Sequence, residues 1–303
     1  MGVCRSIRRH IFSILLLIFA GHTIAADAPR APDGGFNASC KDPSVEVCLA
    51  LDSEAEIAQL RFTPKHLDAS NRIQWDAAAR AARFTIPPRS PADSSGQLHI
   101  QFPQPLVDVY VSFDVRYPAE LLRHKFKRDG GWKIFILGQG KQGCAPYEIV
   151  ANNPRSISRA AFYYICGATG NSRNVAIQDP LGGNWSQFDY QPGGDTACLR
   201  MPAAPGTTVK PCASLEPDTW INFQVHVNTI TSVLEVWQTV HGKTLKIIDF
   251  QLQGFPMPPA QYEWIKLTPY NTGKDITEVH PSFHLWYRRV IVAKKKIPFP
   301  GAE

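Results

Sequence analysis

The chain has 303 residues, 32 lysines and arginines against 26 acids, and a formal net charge of +6. Arg5, Arg8 and Arg9 sit in the first stretch with no acid beside them, so without that leader the charge is a mild +3. No lysine/arginine block recurs along the chain, which excludes the broad basic face that nucleic-acid binding requires. Lys294-Lys295-Lys296 and Arg288-Arg289 are local clusters, read first as solvated chain and second as an attraction for an acidic polymer.

The three arginines precede the apolar run Ile11 to Ala20, and the small residues around Thr23-Ile24-Ala25 follow it. That order predicts a signal peptide over residues 1–26, then a single β-sandwich domain over 27–303 with an N-terminal extension. The run is too short for a membrane span, and no second apolar segment is long enough for one. The expected location is secreted or periplasmic, with no membrane partner. Cys4 leaves with the leader, and Cys40, Cys48, Cys144, Cys166, Cys198 and Cys212 remain. Six cysteines in an exported chain predict three disulfides, with about fifteen connectivities open. Their spacing favours the short-range couples Cys40–Cys48, Cys144–Cys166 and Cys198–Cys212. There is no CxxC and no histidine at ligand spacing beside any couple, so neither a metal nor another cofactor is expected.

Along the chain, Asp27 to Gly35 reads as a lead-in, and Ser53 to Leu60 and Asp76 to Ala82 read as short helices. Strands are predicted over Gln97 to Phe102, Val107 to Arg116, Trp132 to Leu137, Tyr147 to Asn152 and Ala161 to Cys166. Further strands follow over Ile221 to Asn228, Val233 to Thr239, Thr244 to Leu252, Trp264 to Thr268 and Phe283 to Val292. Between them lie GQGKQG, CGATGNS, DPLGGN, QPGGD and PAAPG, which are turn chemistry. Residues 167–219 form a long Gly/Pro-rich excursion of the kind that serves as a binding loop. With 25 prolines, 21 glycines and only 3 methionines, the expected class is all-β, with few short helices.

The strand Trp220 to Asn228 carries the sharpest pattern. Ile221, Phe223, Val225 and Val227 point one way, while Asn222, Gln224, His226 and Asn228 point the other. Amides and an imidazole in a row suit sugar hydroxyls and carboxylates. A lone histidine is nonetheless more often structural, and the outer face of an antiparallel sheet is ordinarily polar. Val107 to Arg116 alternates in the same way, with Arg116 on the polar face, where its planar donor fork suits a carboxylate. Glu148 and Asn152 share a face around Val150, Gln139 sits between Gly138 and Gly140, and Tyr164 shares parity with Phe162 and Cys166. For each, a structural role in a turn, a solvated edge or a core stands beside the binding one.

The segment Lys266-Leu267-Thr268-Pro269-Tyr270-Asn271-Thr272-Gly273-Lys274-Asp275, then His280-Pro281 and Trp286-Tyr287, resembles the end of a group of secreted bacterial proteins. Val109 to Arg116, Gly131 to Gly138, Cys144, Glu148-Ile149-Val150, Asn152, Tyr164 and Cys166-Gly167 add to the likeness, which spans roughly residues 98–298. That group has concanavalin A-like domains likened to polysaccharide lyases. The resemblance implies an antiparallel two-sheet jelly-roll sandwich with a concave, groove-bearing face, and a Cys144–Cys166 bridge. One departure stands out: such proteins often carry an acidic pair after the Trp-Tyr, where this chain has Arg288-Arg289.

No Gly-x-Ser-x-Gly, His-Glu-x-x-His or phosphate loop is present, and no Glu-x-Asp-x-x-Glu strand of the glucanase kind. The expected function is that of a polysaccharide lyase acting on a uronic-acid polymer by β-elimination. His226 would be the base and Tyr164 the acid, or Tyr164 would take both roles, and Arg116 or the amides of Gln139 and Asn152 would neutralise the carboxylate. Gln139, Glu148, Asn152 and Gln224 would bind substrate, with Arg116, Glu148, Asn152, Tyr164 and His226 meeting in one groove. The alternative is a carbohydrate-binding or cell-surface interaction protein that does no chemistry. Both readings make the partner a polysaccharide, an acidic one for the lyase.

Overall fold

A computed structural model describes residues 34–61, 71–91, 95–124, 126–127, 132–140, 148–153, 161–164, 175–176, 198–199, 210–211, 214–251, 261–271 and 274–298. In chain order the elements begin with α1 (Gly34–Cys40), β1 (Val45–Leu49), α2 (Glu54–Arg61), β2 (Ile73–Asp76), β3 (Ala81–Ile86), β4 (Leu98–Leu106) and β5 (Asp108–Arg116). Next come α3 (Ala119–Arg123), β6 (Trp132–Gly138), β7 (Ile149–Asn153), β8 (Ala161–Tyr164), β9 (Val175–Ala176), β10 (Cys198–Leu199) and β11 (Lys210–Pro211). The chain continues through β12 (Trp220–Asn228), β13 (Val233–Val240), β14 (Lys243–Gln251), β15 (Tyr262–Leu267) and β16 (Phe283–Ala293).

Two antiparallel sheets hold nearly all of these strands. An eight-stranded sheet runs β14-β13-β12-β5-β16-β3-β2, with β1 also on β16, and a six-stranded sheet runs β4-β15-β6-β7-β8-β9. The short β10 and β11 pair in parallel. The period-2 alternation decides how the sheets meet, because each strand turns one greasy face to its opposite sheet. Val109, Val111, Phe113 and Val115 of β5 lie opposite Val227, Val225, Phe223 and Ile221 of β12. All join one core with Ile134, Phe135 and Leu137 of β6 and Ile265 and Leu267 of β15. The rings of Phe113 and Phe135 meet across the sandwich at 5.4 Å, and the Tyr287 hydroxyl donates to Ile134 O at 2.6 Å. Burying each such aromatic stabilises the fold by about 1.5–3 kcal/mol.

The predicted helix over Asp76 to Ala82 is a turn. Asp76 Oδ1 accepts the backbone N–H groups of Ala78 and Ala79, both at 3.0 Å, and Arg80 takes a positive φ of 47°. A short acid that captures nearby amides offers the backbone an alternative to a helix, and β2 and β3 pair across the turn. The bridge Cys40–Cys48 is present and ties α1 to β1. The other expected couples involve Cys144, Cys166, Cys198 and Cys212, whose side chains lie outside the described residues.

Candidate active site

The eight-stranded sheet presents β12 as its alternation predicts, but its outer face is occupied near His226 and Gln224. Gln224 is fully buried, and its Nε2 donates to Ile297 O at 2.9 Å. Gln238 on β13 likewise donates to Ser214 O at 2.8 Å. An amide side chain is a good partner for a crossing main chain, since it carries the same donor and acceptor as a peptide group. A bulge after Arg288 turns Ile291 outward, where Ile291, Ala293 and Ile297 form a second small core with Phe36, Cys40, Val45, Cys48 and Tyr110.

His226 lies beside that cluster. Its Nε2 is 2.8 Å from Asp108 Oδ1, its Nδ1 is 2.8 Å from Glu235 Oε2, and its ring stacks on Tyr110 at 4.0 Å. Burial disfavours the Glu235 charge, yet hydrogen bonds from Lys246 and His226 hold its pKa below the ordinary carboxylate value. With a carboxylate on each ring nitrogen, neither is turned to a substrate. Arg116, on the same outer face, stands between Trp220 and Trp286.

The strand order corrects the expectation of one groove. Arg116, Gln224 and His226 belong to β5 and β12, whereas Gln139, Glu148, Asn152 and Tyr164 lie at or beside β6, β7 and β8 of the six-stranded sheet. The core separates the two outer faces. Gln139 Oε1 accepts the Gln261 N–H at 3.1 Å and so ties the end of β6 to the start of β15. Tyr164 is in register with Ile149, a core residue, and Tyr163 with Val150.

The outer face of the six-stranded sheet gathers a different set. One transverse row runs His99 on β4, Lys266 on β15, Ile136 on β6, Val150 on β7 and Tyr163 on β8. Its neighbour runs Gln101, Trp264 and Gly138. Trp264 lies over Gly138, where any Cβ would collide with its ring, and its Nε1 donates to Gly140 O at 3.2 Å. Lys266, only 4 % exposed, holds its ammonium 4.8 Å from the Trp264 ring centre, a cation–π contact, and His99 packs on the same indole.

Lys133 is at the far end of β6, in register with Asn152. Its N–H donates to Tyr270 O at 2.6 Å, and its ammonium sits 4.7 Å from the Tyr270 ring centre. Burial lowers the Lys133 pKa, and the charge of Glu148 pulls in the opposite direction without cancelling that effect. Glu148 itself is buried. A lysine with a lowered pKa is the standard way to obtain an amine base from this side chain.

Sequence reasoning did not select His99, Lys133, Trp264, Lys266 or Tyr270 for this site. The signal was a single lysine in each of two mostly apolar strands, WKIFILG and YEWIKL, the second of which also carries Glu263. Such a lysine must either reach solvent or be held on the face by aromatic and acidic neighbours.

No family model matches the chain, and no curated protein matches it. Solved structures do. The alginate lyase Aly36B shares the fold with a TM-score of 0.51 and 12% identity, covering 85% of this chain and 99% of its own. A double mutant of that enzyme, with a lysine and a methionine replaced by alanine, is in complex with alginate trisaccharide and matches with the same score and identity over 84% of this chain and 99% of its own. The PL-14 alginate lyase from Aplysia kurodai matches with a TM-score of 0.50 and 8% identity, over 84% of this chain and 99% of its own. The chain thus has a polysaccharide lyase-like fold.

Proposed function

We propose that this protein is an exported polysaccharide lyase that cleaves a uronic-acid polymer on the outer face of its six-stranded sheet. Fold alone does not convey activity; the observation that carries the reading is Lys133, held with its ammonium 4.7 Å from the Tyr270 ring centre, where burial lowers its pKa against the opposing charge of Glu148. In β-elimination a base removes the proton on the carbon next to the uronate carboxyl. The electron pair forms a carbon–carbon double bond, and the glycosidic carbon–oxygen bond on the adjacent carbon breaks. The leaving oxygen then takes a proton.

Lys133 in its neutral form is the base. The Lys266 ammonium, beside His99, is the positive charge that offsets the carboxylate as it gains enolate character, the kind of stabilisation that is largest where water is excluded. Trp264, fully buried over Gly138, is the floor on which the Lys266 ammonium rests. Tyr163, placed by register in the row of Lys266, is the residue to test for the acid role in place of Tyr164. The neighbours with this fold that act on alginate make alginate the first polymer to try.

The experiment is to incubate purified protein with alginate, glucuronan, pectate and glycosaminoglycans and to follow the ultraviolet band of unsaturated uronate. We expect the band to grow with at least one polymer and to vanish with Lys133→Met, which keeps the bulk of the side chain and loses the amine. Binding without product from any polymer would favour a carbohydrate-binding protein that does no chemistry.

A further inference from the structure

The end of the outer face of the eight-stranded sheet, away from His226, carries a second ordered array. Register sets Trp220 on β12 opposite Arg116 on β5, Arg116 opposite Trp286 on β16, Trp286 opposite Arg83 on β3, and Arg83 opposite Gln74 on β2. Their sequence neighbours Ile221, Val115, Leu285, Phe84 and Ile73 are in the core, so the row faces outward. Every member is at least partly exposed. The Arg116 guanidinium carbon lies 4.4 Å from the Trp286 ring centre and 5.2 Å from that of Trp220, while Arg288 caps Trp220 at 3.8 Å.

The charges in this array differ in what answers them. Arg83 donates to Gln74 Oε1 at 2.8 Å and lies 3.8 Å from Asp76. Arg288 donates to Asp114 Oδ2 at 3.0 Å, and Arg289 approaches the same oxygen at 3.8 Å. Asp76 is further engaged by Trp286 Nε1 at 2.9 Å. Among the described residues, Arg116 has ring contacts and neither a carboxylate nor a hydrogen-bond acceptor. Guanidinium groups outnumber carboxylates here: Arg288 and Arg289 share Asp114, Arg83 faces Asp76, and Arg116 faces neither.

We propose that Arg116, held between Trp220 and Trp286, binds the carboxylate of an acidic sugar and so forms a second polymer-holding site on the sheet opposite the lysine face. The proposal rests on the reading of the partner as a polyuronate. A guanidinium presents a flat donor fork that matches a carboxylate in two parallel hydrogen bonds, and stacking on an indole leaves that fork free. The two rings also restrict the side chain before any ligand arrives, so less conformational freedom is lost on binding. No base and no acid stand in this row, so the site holds the chain and does no chemistry.

The test is calorimetric titration of the full-length chain with a saturated alginate oligosaccharide, in a Lys133→Met background that prevents turnover. Two binding events per molecule are expected in that background, and one when Arg116→Gln is added. A neutral gluco-oligosaccharide should leave the Arg116 event absent. Should the lysine face prove not to bind sugar at all, the counts become one and none, so failure of the lyase reading and failure of this site are told apart. The same number of events with and without Arg116→Gln would overturn the proposal, as would equal binding of the neutral sugar at this site. If Arg116→Gln does not fold by circular dichroism, Arg116→Lys retains the charge and loses the fork. Its event should then weaken about tenfold, and unchanged affinity would overturn the proposal equally.

Discussion

Lys133 sits where two opposed effects meet. Burial favours the neutral amine, and the Glu148 carboxylate favours the ammonium. Because the neutral form is the base, turnover should rise with pH through the Lys133 pKa and level off above it. Burial is the larger effect, so this limb lies below the ordinary lysine range. Replacing Glu148 by Gln removes the influence that raises the pKa, and the limb should therefore move to lower pH. A pH–rate profile of kcat/KM for the parent and Glu148→Gln measures this. A limb that stays in place or moves to higher pH would separate Glu148 from the base.

At the scale of elements, the pairing of β6 with β15 holds the face together. Gly138 is required there for a reason of space, since the Trp264 ring occupies the place of any side chain. Gly138→Ala should displace that indole, break its bond to Gly140 O and unseat the Lys266 ammonium that rests on it. Overpacking of this kind costs about 1–3 kcal/mol, so chemical denaturation should show the loss of stability, and KM should rise.

The same strands show what could be read in advance. Alternation in Val107 to Arg116 and Trp220 to Asn228 located the strands of the core correctly, because period-2 burial is a local property. What covers the opposite face is not local. The amides of Gln224 and Gln238 look like sugar ligands in isolation, and they bind main chain that returns from residues 214 and 297. Asp76 escaped in the other direction: its carboxylate makes a turn that residue propensities alone read as helix. The lysines of the six-stranded sheet were hidden because a lone lysine among apolar residues has no pattern until register sets His99 opposite Lys266.

Seen as a whole molecule, the sandwich has two outer faces with different chemistry. One carries lysines, a histidine and an indole on the six-stranded sheet. The other is partly covered around Tyr110 and His226 and bears an arginine–tryptophan row at its far end. The central claim is that turnover belongs to the first face. His226, bonded on both ring nitrogens, is then a structural residue whose removal costs about 1–3 kcal/mol and leaves each folded molecule as active as before. The most direct measurement is specific activity per folded molecule on one polyuronate, compared for Lys133→Ala and His226→Ala with melting temperatures taken on the same preparations. The account predicts loss of turnover with little change in melting temperature for Lys133→Ala, and a lowered melting temperature with full specific activity for His226→Ala. Full activity in Lys133→Ala together with lost activity in a stable His226→Ala would contradict it and move the chemistry to the other sheet.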